Sequence, residues 1–276
     1  MRLTLGHSPD PDDAFMFYAL AAHKIDAEGL DFEHILQDIE TLNQRAERSE
    51  IDITALSVHA YAYLHDRYIL LPHGASMGDG YGPLFVARAP MGVDTLRKSR
   101  IAVPGLKTSA YLAARLALGT FDHVVVPFDR IMDHVRSGES DAGLLIHEGQ
   151  LTYAGAGFHK VLDLGEWWRD LTGGLPLPLG VNAVRRDLGP DVIARCVRVL
   201  GQSIRYGLEH RAPAVQHAMQ WGRGLDTGLA DRFIGMYVNE LTEDLGDRGR
   251  AGIREFLRRG HEAGVIPGPV PVEFAS

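Results

Sequence analysis

The sequence predicts an α/β protein of two lobes with a helical C-terminal third. Three observations carry this. Strand-like and helix-like segments alternate through the first 150 residues. The pattern restarts after a polar gap, APMGVDTLRKSR, near Pro90 to Arg100. From Pro190 to about Gly260 the apolar spacing is helical throughout.

Each element has a local reason. LTLGH (Leu3 to His7) reads as a short strand, and DDAFMFYALAAHK (Asp12 to Lys24) as one helix with an acidic start and a basic end. LDFEHIL (Leu30 to Leu36) alternates as a strand does, and IETLNQRAERSE (Ile39 to Glu50) is a polar helix. DITALS (Asp52 to Ser57) is a strand and VHAYAYLHDR (Val58 to Arg67) a helix; YILLPH and GPLFVAR are further strand candidates. After the gap, IAVPG (Ile101 to Gly105) is a strand, and TSAYLAARLALG (Thr108 to Gly119) is a helix with a hydroxyl start and a terminal glycine. HVVVPF, DRIMDHVRSGE and AGLLIH continue as strand, helix, strand. Such alternation implies βαβ units and mostly parallel sheets. TGGLPLPL (Thr172 to Leu179) cannot be helical, because Pro176 and Pro178 remove donors, and it leads into an extended crossing segment, GVNAVRRDLG. The expected division is 1–89 with 183–276 as the first lobe and 90–182 as the second, with a ligand cleft between them.

Composition excludes several functions. The 276 residues are 45% hydrophobic and 23% charged, as in ordinary globular chains. A net charge of −8 argues against nucleic acid as a partner, yet leaves room for an anionic small molecule in a local pocket. The single cysteine, Cys196, allows no internal disulfide and lies at core spacing in a helix. No apolar run is long enough to span a membrane, and MRLTLGHSPDP lacks signal-peptide features, so a cytoplasmic protein without membrane partners is expected.

In open α/β sheets, ligands bind beyond the carboxyl ends of strands. Four polar clusters fall there: HSPDPDD (His7 to Asp13), Ser57, GLKTSA (Gly105 to Ala110) and His147. If two lobes face each other, all four rim one cleft. Ser57 and Thr108 also fit simple helix N-caps, and singly that is the better account. As ligand groups, their hydroxyls and the amides after them would hold an anion or a sugar hydroxyl. His147 follows a run that should be buried; desolvation there favours a neutral imidazole, suited to act as a general base. Glu148 beside it reads as solvated. Acidic Asp10, Asp12 and Asp13 are better explained as a helix start than as a cation site. Among 13 histidines there is no HExxH and no Cys/His spacing, and His59 and His65 do not share a helical face. Neither a Walker loop, a dinucleotide GxGxxG nor a GxSxG elbow is present. Trp167 and Trp168 read as core in preference to ring-stacking platforms.

Taken together, SPDPDDAFMFYAL, DIETLNQRA, ALSVHAYAYLHDRY, VPGLKTSAYL, AGLLIHEGQLTY and DLGEWWRDLTGGLPLPLG make the chain resemble the 1,4-dihydroxy-6-naphthoate synthases, a menaquinone-biosynthesis family of the futalosine pathway. The resemblance is strong over about the first 190 residues. It implies a fold like the type 2 periplasmic binding proteins and a lyase that cleaves cyclic dehypoxanthinyl futalosine to 1,4-dihydroxy-6-naphthoate, with no metal or organic cofactor. By that resemblance His147 is the proton acceptor. Ala55, Leu56, Ser57, Ser109 and Ala110 line the site of an anionic, carboxylate-bearing substrate, and Asn43 and Thr108 join them.

The chain departs from the family where a Cys-Pro-Asn-Asp segment usually stands. Here it has Asp10, Pro11, Asp12 and Asp13, so a carboxylate replaces an amide at Asp12 and, if it faces the cleft, would repel an anionic substrate. The usual Thr-Thr pair ends in Ser109, and a glycine, Gly173 or Gly174, is added before LPLPLG. Two alternatives share the fold: chorismate dehydratase, whose N-terminus normally carries a Tyr-Leu-Asn type segment, and a non-catalytic solute-binding protein, which fold alone does not separate from an enzyme.

Overall fold

The computed structural model describes residues 1–222 and 225–276. The chain begins with β1 (Arg2–His7), α1 (Pro11–Met16), α2 (Tyr18–Ala21), β2 (Asp31–Leu36), α3 (Ile39–Glu47), β3 (Ile53–Ser57), α4 (Val58–Tyr61), β4 (Tyr68–Leu70) and β5 (Ser76–Gly78). It continues through β6 (Leu84–Ala87), α5 (Val93–Leu96), β7 (Ile101–Val103), α6 (Ser109–Leu118), β8 (His123–Val125), α7 (Ile131–Ser137), β9 (Ala142–Leu145), α8 (Gly149–Thr152), β10 (His159–Asp163) and α9 (Leu164–Thr172). The long β11 (Leu177–Arg185) leads to α10 (Pro190–Glu209), α11 (Arg211–Ala218), α12 (Thr227–Tyr237), α13 (Glu240–Glu243) and α14 (Gly246–Glu262). Two compact units result. The first holds Met1–Met77, Gly180–Arg250 and Val270–Ser276; the second holds Gly78–Leu179 and Ala251–Pro269.

The first unit is built on a sheet ordered β2-β1-β3-β11-β4, with β5 paired to β11. β1 runs parallel to β2 and β3, whereas β11 runs antiparallel to β3 and β4. Alternation on β1 sends Leu3 and Leu5 into the main core. They meet Phe15, Met16 and Phe17, and Cys196, Val199, Leu200 and Ile204 of α10. Those α10 positions recur every three or four residues, which puts one apolar stripe on the sheet. The stripe packs close: a Cβ at Gly207 would stand 3.1 Å from the Phe15 carbonyl, and Ser203 donates to the Met16 carbonyl at 2.8 Å. Full burial of each such aliphatic side chain contributes about 2 kcal/mol. The single helix expected over Asp12 to Lys24 is instead two, because Phe17 sits at φ −98°, ψ 9° and breaks the ladder between α1 and α2. The helix expected over Val58 to Arg67 is likewise only α4 followed by turns.

The second unit has a five-stranded sheet ordered β10-β6-β9-β7-β8. Its β7 is parallel to β8 and β9, while β6 is antiparallel to β9 and β10. Both sheets are therefore mixed, not mostly parallel. The strands that break the parallel pattern are β11 in the first sheet and β6 in the second. Ile131 and Val135 of α7 lie over Val86, Ala102 and Leu145. Gly143 on β9 admits them, since a Cβ there would come within 2.5 Å of Ile131. Trp168 of α9 is fully buried and donates its indole N–H to the Pro176 carbonyl at 3.1 Å.

The division differs from the expected one in three places, the shortest being residues 180–182, which pair with β3 and fall in the first unit. Residues 78–89 fall in the second unit up to and including β6, which pairs on both sides with strands of that unit. Residues 251–269 fall there too, because Phe256 of α14 meets Trp168 edge-on at 5.3 Å and Gly260 packs on Leu112. The helices α10 to α13 belong to the first unit.

Backbone contact at Gly165 is the tightest demand in the second unit. A Cβ there would stand 1.9 Å from the Tyr81 carbonyl oxygen and 2.0 Å from its carbon. Backbone must move to accept it, so Gly165→Ala should cost about 3 kcal/mol in urea unfolding. Gly268→Ala, where a Cβ meets open space, should stay within about 0.5 kcal/mol of the parent.

Candidate active site

In the first unit the carboxyl end of β3 is fixed by an amide. Asn43 on α3 is fully buried; its Oδ1 accepts the Ser57 N–H at 2.9 Å and its Nδ2 donates to the Ser57 hydroxyl at 3.1 Å. Ser57 stands at the N-cap position of α4 but makes no side-chain cap bond. The amide fills a hydroxyl lone pair and leaves the Ser57 O–H able to donate. Ala55 shares this face of β3 and packs with Leu42 and Ile51. Leu56 points to the opposite face and has no solvent-reachable surface, so it can meet a ligand only through its backbone.

The segment after β1 holds a second buried polar group. A carbonyl can only accept, so His7 Nδ1 carries its proton toward the Ser8 carbonyl at 3.2 Å. His7 Nε2 then accepts from the Nδ1–H of His34 at 2.9 Å. Burial, and then the His34 imidazole, pull the His7 pKa from 6.5 to about 4. Asp13 accepts the Ser8 N–H at 2.6 Å. The carboxylate oxygens of Asp10, Asp12 and Asp13 converge within 4.8 Å of one another, all buried. Burial above all, then Asp10 and Asp13, hold the Asp12 proton well above the usual carboxylate range. Burial and the two neighbouring carboxyls thus disfavour the ionised form expected at Asp12. Asp10 occupies the N-cap position of α1 with no side-chain cap bond, so the helix-start account explains its place and not its side chain.

In the second unit Thr108 is a true cap of α6. Its hydroxyl accepts the Tyr111 N–H at 3.1 Å and donates to the Gly105 carbonyl at 2.9 Å. The Ser109 hydroxyl donates to the Leu179 carbonyl. Both hydroxyl donors are spent within the chain, so what this turn offers a ligand is the first-turn amides of Ser109 and Ala110, at the positive end of a ten-residue helix.

His147 does not end the strand that leads to it. β9 stops at Leu145, and His147 lies in the turn beyond, half-buried, at φ +55°. Histidine enters this left-handed region more readily than most residues, but at a cost of about 1 kcal/mol or more. The turn is held by the Gln150 N–H on the His147 carbonyl at 3.1 Å, and the imidazole lies 4.6 Å from the Phe128 ring at 60°. Glu148 is half-buried and not solvated as expected. Phe128 was not legible as a site residue, although it follows the strand β8 and so stands where loops carry function. Trp168 and Cys196 are core residues as read; burial pushes the Cys196 thiol up to about 12.

A family model for menaquinone biosynthesis matches residues 3–262. The chain is 38% identical to a Thermus thermophilus protein and 39% identical to a Streptomyces coelicolor protein, each named 1,4-dihydroxy-6-naphthoate synthase. The matches cover 98% and 99% of the chain and 98% of each relative. A crystal structure of an Archaeoglobus fulgidus protein superposes with a TM-score of 0.92 at 46% identity, over 96% of this chain and 98% of that one. The alkanesulfonate-binding protein of Xanthomonas axonopodis superposes at 0.73 with 12% identity, over 98% and 96% of the two chains, which places the fold among the periplasmic binding proteins. No helix among the described residues is long and apolar enough to cross a membrane.

The His7 site makes stability depend on pH. Between pH 6.5 and about 4 an unfolded chain binds a proton at His7 that the folded chain excludes. Its contribution is therefore complete above pH 6.5 and is lost as pH falls, by about 3 kcal/mol at pH 4. Urea unfolding of His7→Phe should show a pH dependence shallower than the parent's by about that amount.

Proposed function

We propose, since the chain belongs to the menaquinone-biosynthesis family, that it is a lyase converting cyclic dehypoxanthinyl futalosine to 1,4-dihydroxy-6-naphthoate, with His147 as the general base. The observation that carries the role of His147 is its left-handed backbone beyond the carboxyl end of β9. A costly backbone conformation at a strand end supports a functional placement of that ring. Phe128 beside the ring limits its rotation and shields it from water.

The substrate is held through its oxygens. The amides of Ser109 and Ala110 take its carboxylate, as helix N-termini favour anions. Ser57, oriented by Asn43, donates to a substrate oxygen, and Ala55 and the Leu56 backbone lie along the same strand. Thr108 acts indirectly, by holding the Gly105 turn in which these amides are presented. His147 removes a proton from the sugar-derived portion; the released electron pair breaks that portion from the ring system, which becomes an aromatic diol. Aromatisation supplies the driving force, and the protein supplies position and a base. Burial that disfavours the ionised form of Asp12 lessens repulsion toward an anionic substrate. The compartment proposed is the cytoplasm.

His147→Ala and His147→Asn should each lower kcat about 10²- to 10⁴-fold, the usual worth of a positioned base, with circular dichroism unchanged. Retention of most of the activity in both variants would show that another group takes the proton. Ser57→Ala should raise KM about three- to tenfold through loss of one hydrogen bond, with kcat nearly constant.

A further inference from the structure

A cavity of about 210 Å³ lies wholly within the first unit and contains none of the residues assigned to the substrate. Its walls are His7, Ala14, Phe17, Ala21, His34, Leu36, His217 and Trp221. His7, Ala14 and Phe17 are buried and form the floor, while Ala21 and Leu36 are exposed and form the mouth. The walls are rings and small apolar groups: His7 and Phe17 are 4.8 Å apart at 44°, and His217 and Trp221 are 5.2 Å apart at 55°. Ala14 and Ala21 leave room that longer side chains would fill.

The chemistry of these walls selects a ligand. A cavity of about 150 Å³ is large enough to hold benzene, so this one has space for two fused rings. Among the described residues no lysine or arginine lines it, so none of them supplies a counter-charge to a buried carboxylate. The tautomer chain decides the remaining polarity. His7 spends its proton on the Ser8 carbonyl and His34 spends its own on His7, so the second nitrogen of His34, Nε2, is an acceptor while the ring is neutral. Burial, followed by the charges of His217 and His23, disfavours the protonated form of His34.

We propose that this cavity binds a small aromatic alcohol: one or two apolar rings carrying a hydroxyl that donates to His34. The site is separate from the lyase reading and is tested without turnover, so its failure leaves that reading untouched.

The probe is 2-naphthol, titrated into the full-length protein by calorimetry and by ligand-observed NMR, with 2-methoxynaphthalene and 6-hydroxy-2-naphthoate as comparisons. Saturable binding of 2-naphthol is expected. The methyl ether, which cannot donate, should bind about tenfold more weakly, and the naphthoate more weakly still. Ala21→Trp and Leu36→Trp, both at the exposed mouth, should each weaken 2-naphthol at least about tenfold with unchanged thermal melting. His34→Phe should abolish the preference for the alcohol over its ether. Binding in His147→Ala should equal that of the parent. The proposal is overturned if 2-naphthol does not saturate, if both mouth variants bind it as the parent does, or if the His147 variant loses it.

Discussion

A buried strand must end, and its last backbone groups must find partners. That constraint governs the polar architecture of this protein. At β1 the chain beyond His7 is held by Asp13 on the Ser8 amide. At β3 the Ser57 amide is taken by the Asn43 side chain. Beyond β7 the turn is closed by Thr108 on Gly105, and beyond β9 by Gln150 on His147. Each closure uses a different side chain or backbone group, yet each leaves polar groups beyond a carboxyl strand end. Structure and chemistry share those positions because both need polar groups beside an apolar sheet.

The same constraint explains the unusual charge state near β1. Three carboxyl groups within 4.8 Å cannot all ionise when buried. Burial, then Asp10 and Asp13, disfavour the ionised form of Asp12. The buried imidazoles follow parallel logic with the opposite sign: desolvation keeps His7 and His34 neutral.

Much of this was legible in the sequence, and for definite reasons. The strands β1, β2, β3 and β7, the Thr108 cap and the extended passage through Pro176 and Pro178 follow from local pattern and proline chemistry. What local pattern does not carry is contact between distant residues. The assignment of residues 251–269 to the second unit depends on Phe256 meeting Trp168, and the antiparallel course of β6 depends on β9 and β10 far along the chain. The break at Phe17 is likewise set by the core in which its ring is buried, against the helical pattern of its neighbours. The apolar run before His147 predicts that it ends a strand, but Ile146 and His147 lie beyond the last paired residue, and the left-handed φ of His147 has no signature in composition. Asn43 stood inside a polar helix, where nothing local reveals that it grips a residue 14 positions on.

The central claim is that this chain makes an aromatic diol with a side-chain base and backbone amides that hold the anion. The most direct measurement is to incubate the purified protein with cyclic dehypoxanthinyl futalosine after chelator treatment and follow product by absorbance and mass. The account predicts multiple turnovers to 1,4-dihydroxy-6-naphthoate at a rate unchanged by the chelator. Tight binding of the substrate with no product, or product that appears only when a metal is restored, would contradict it.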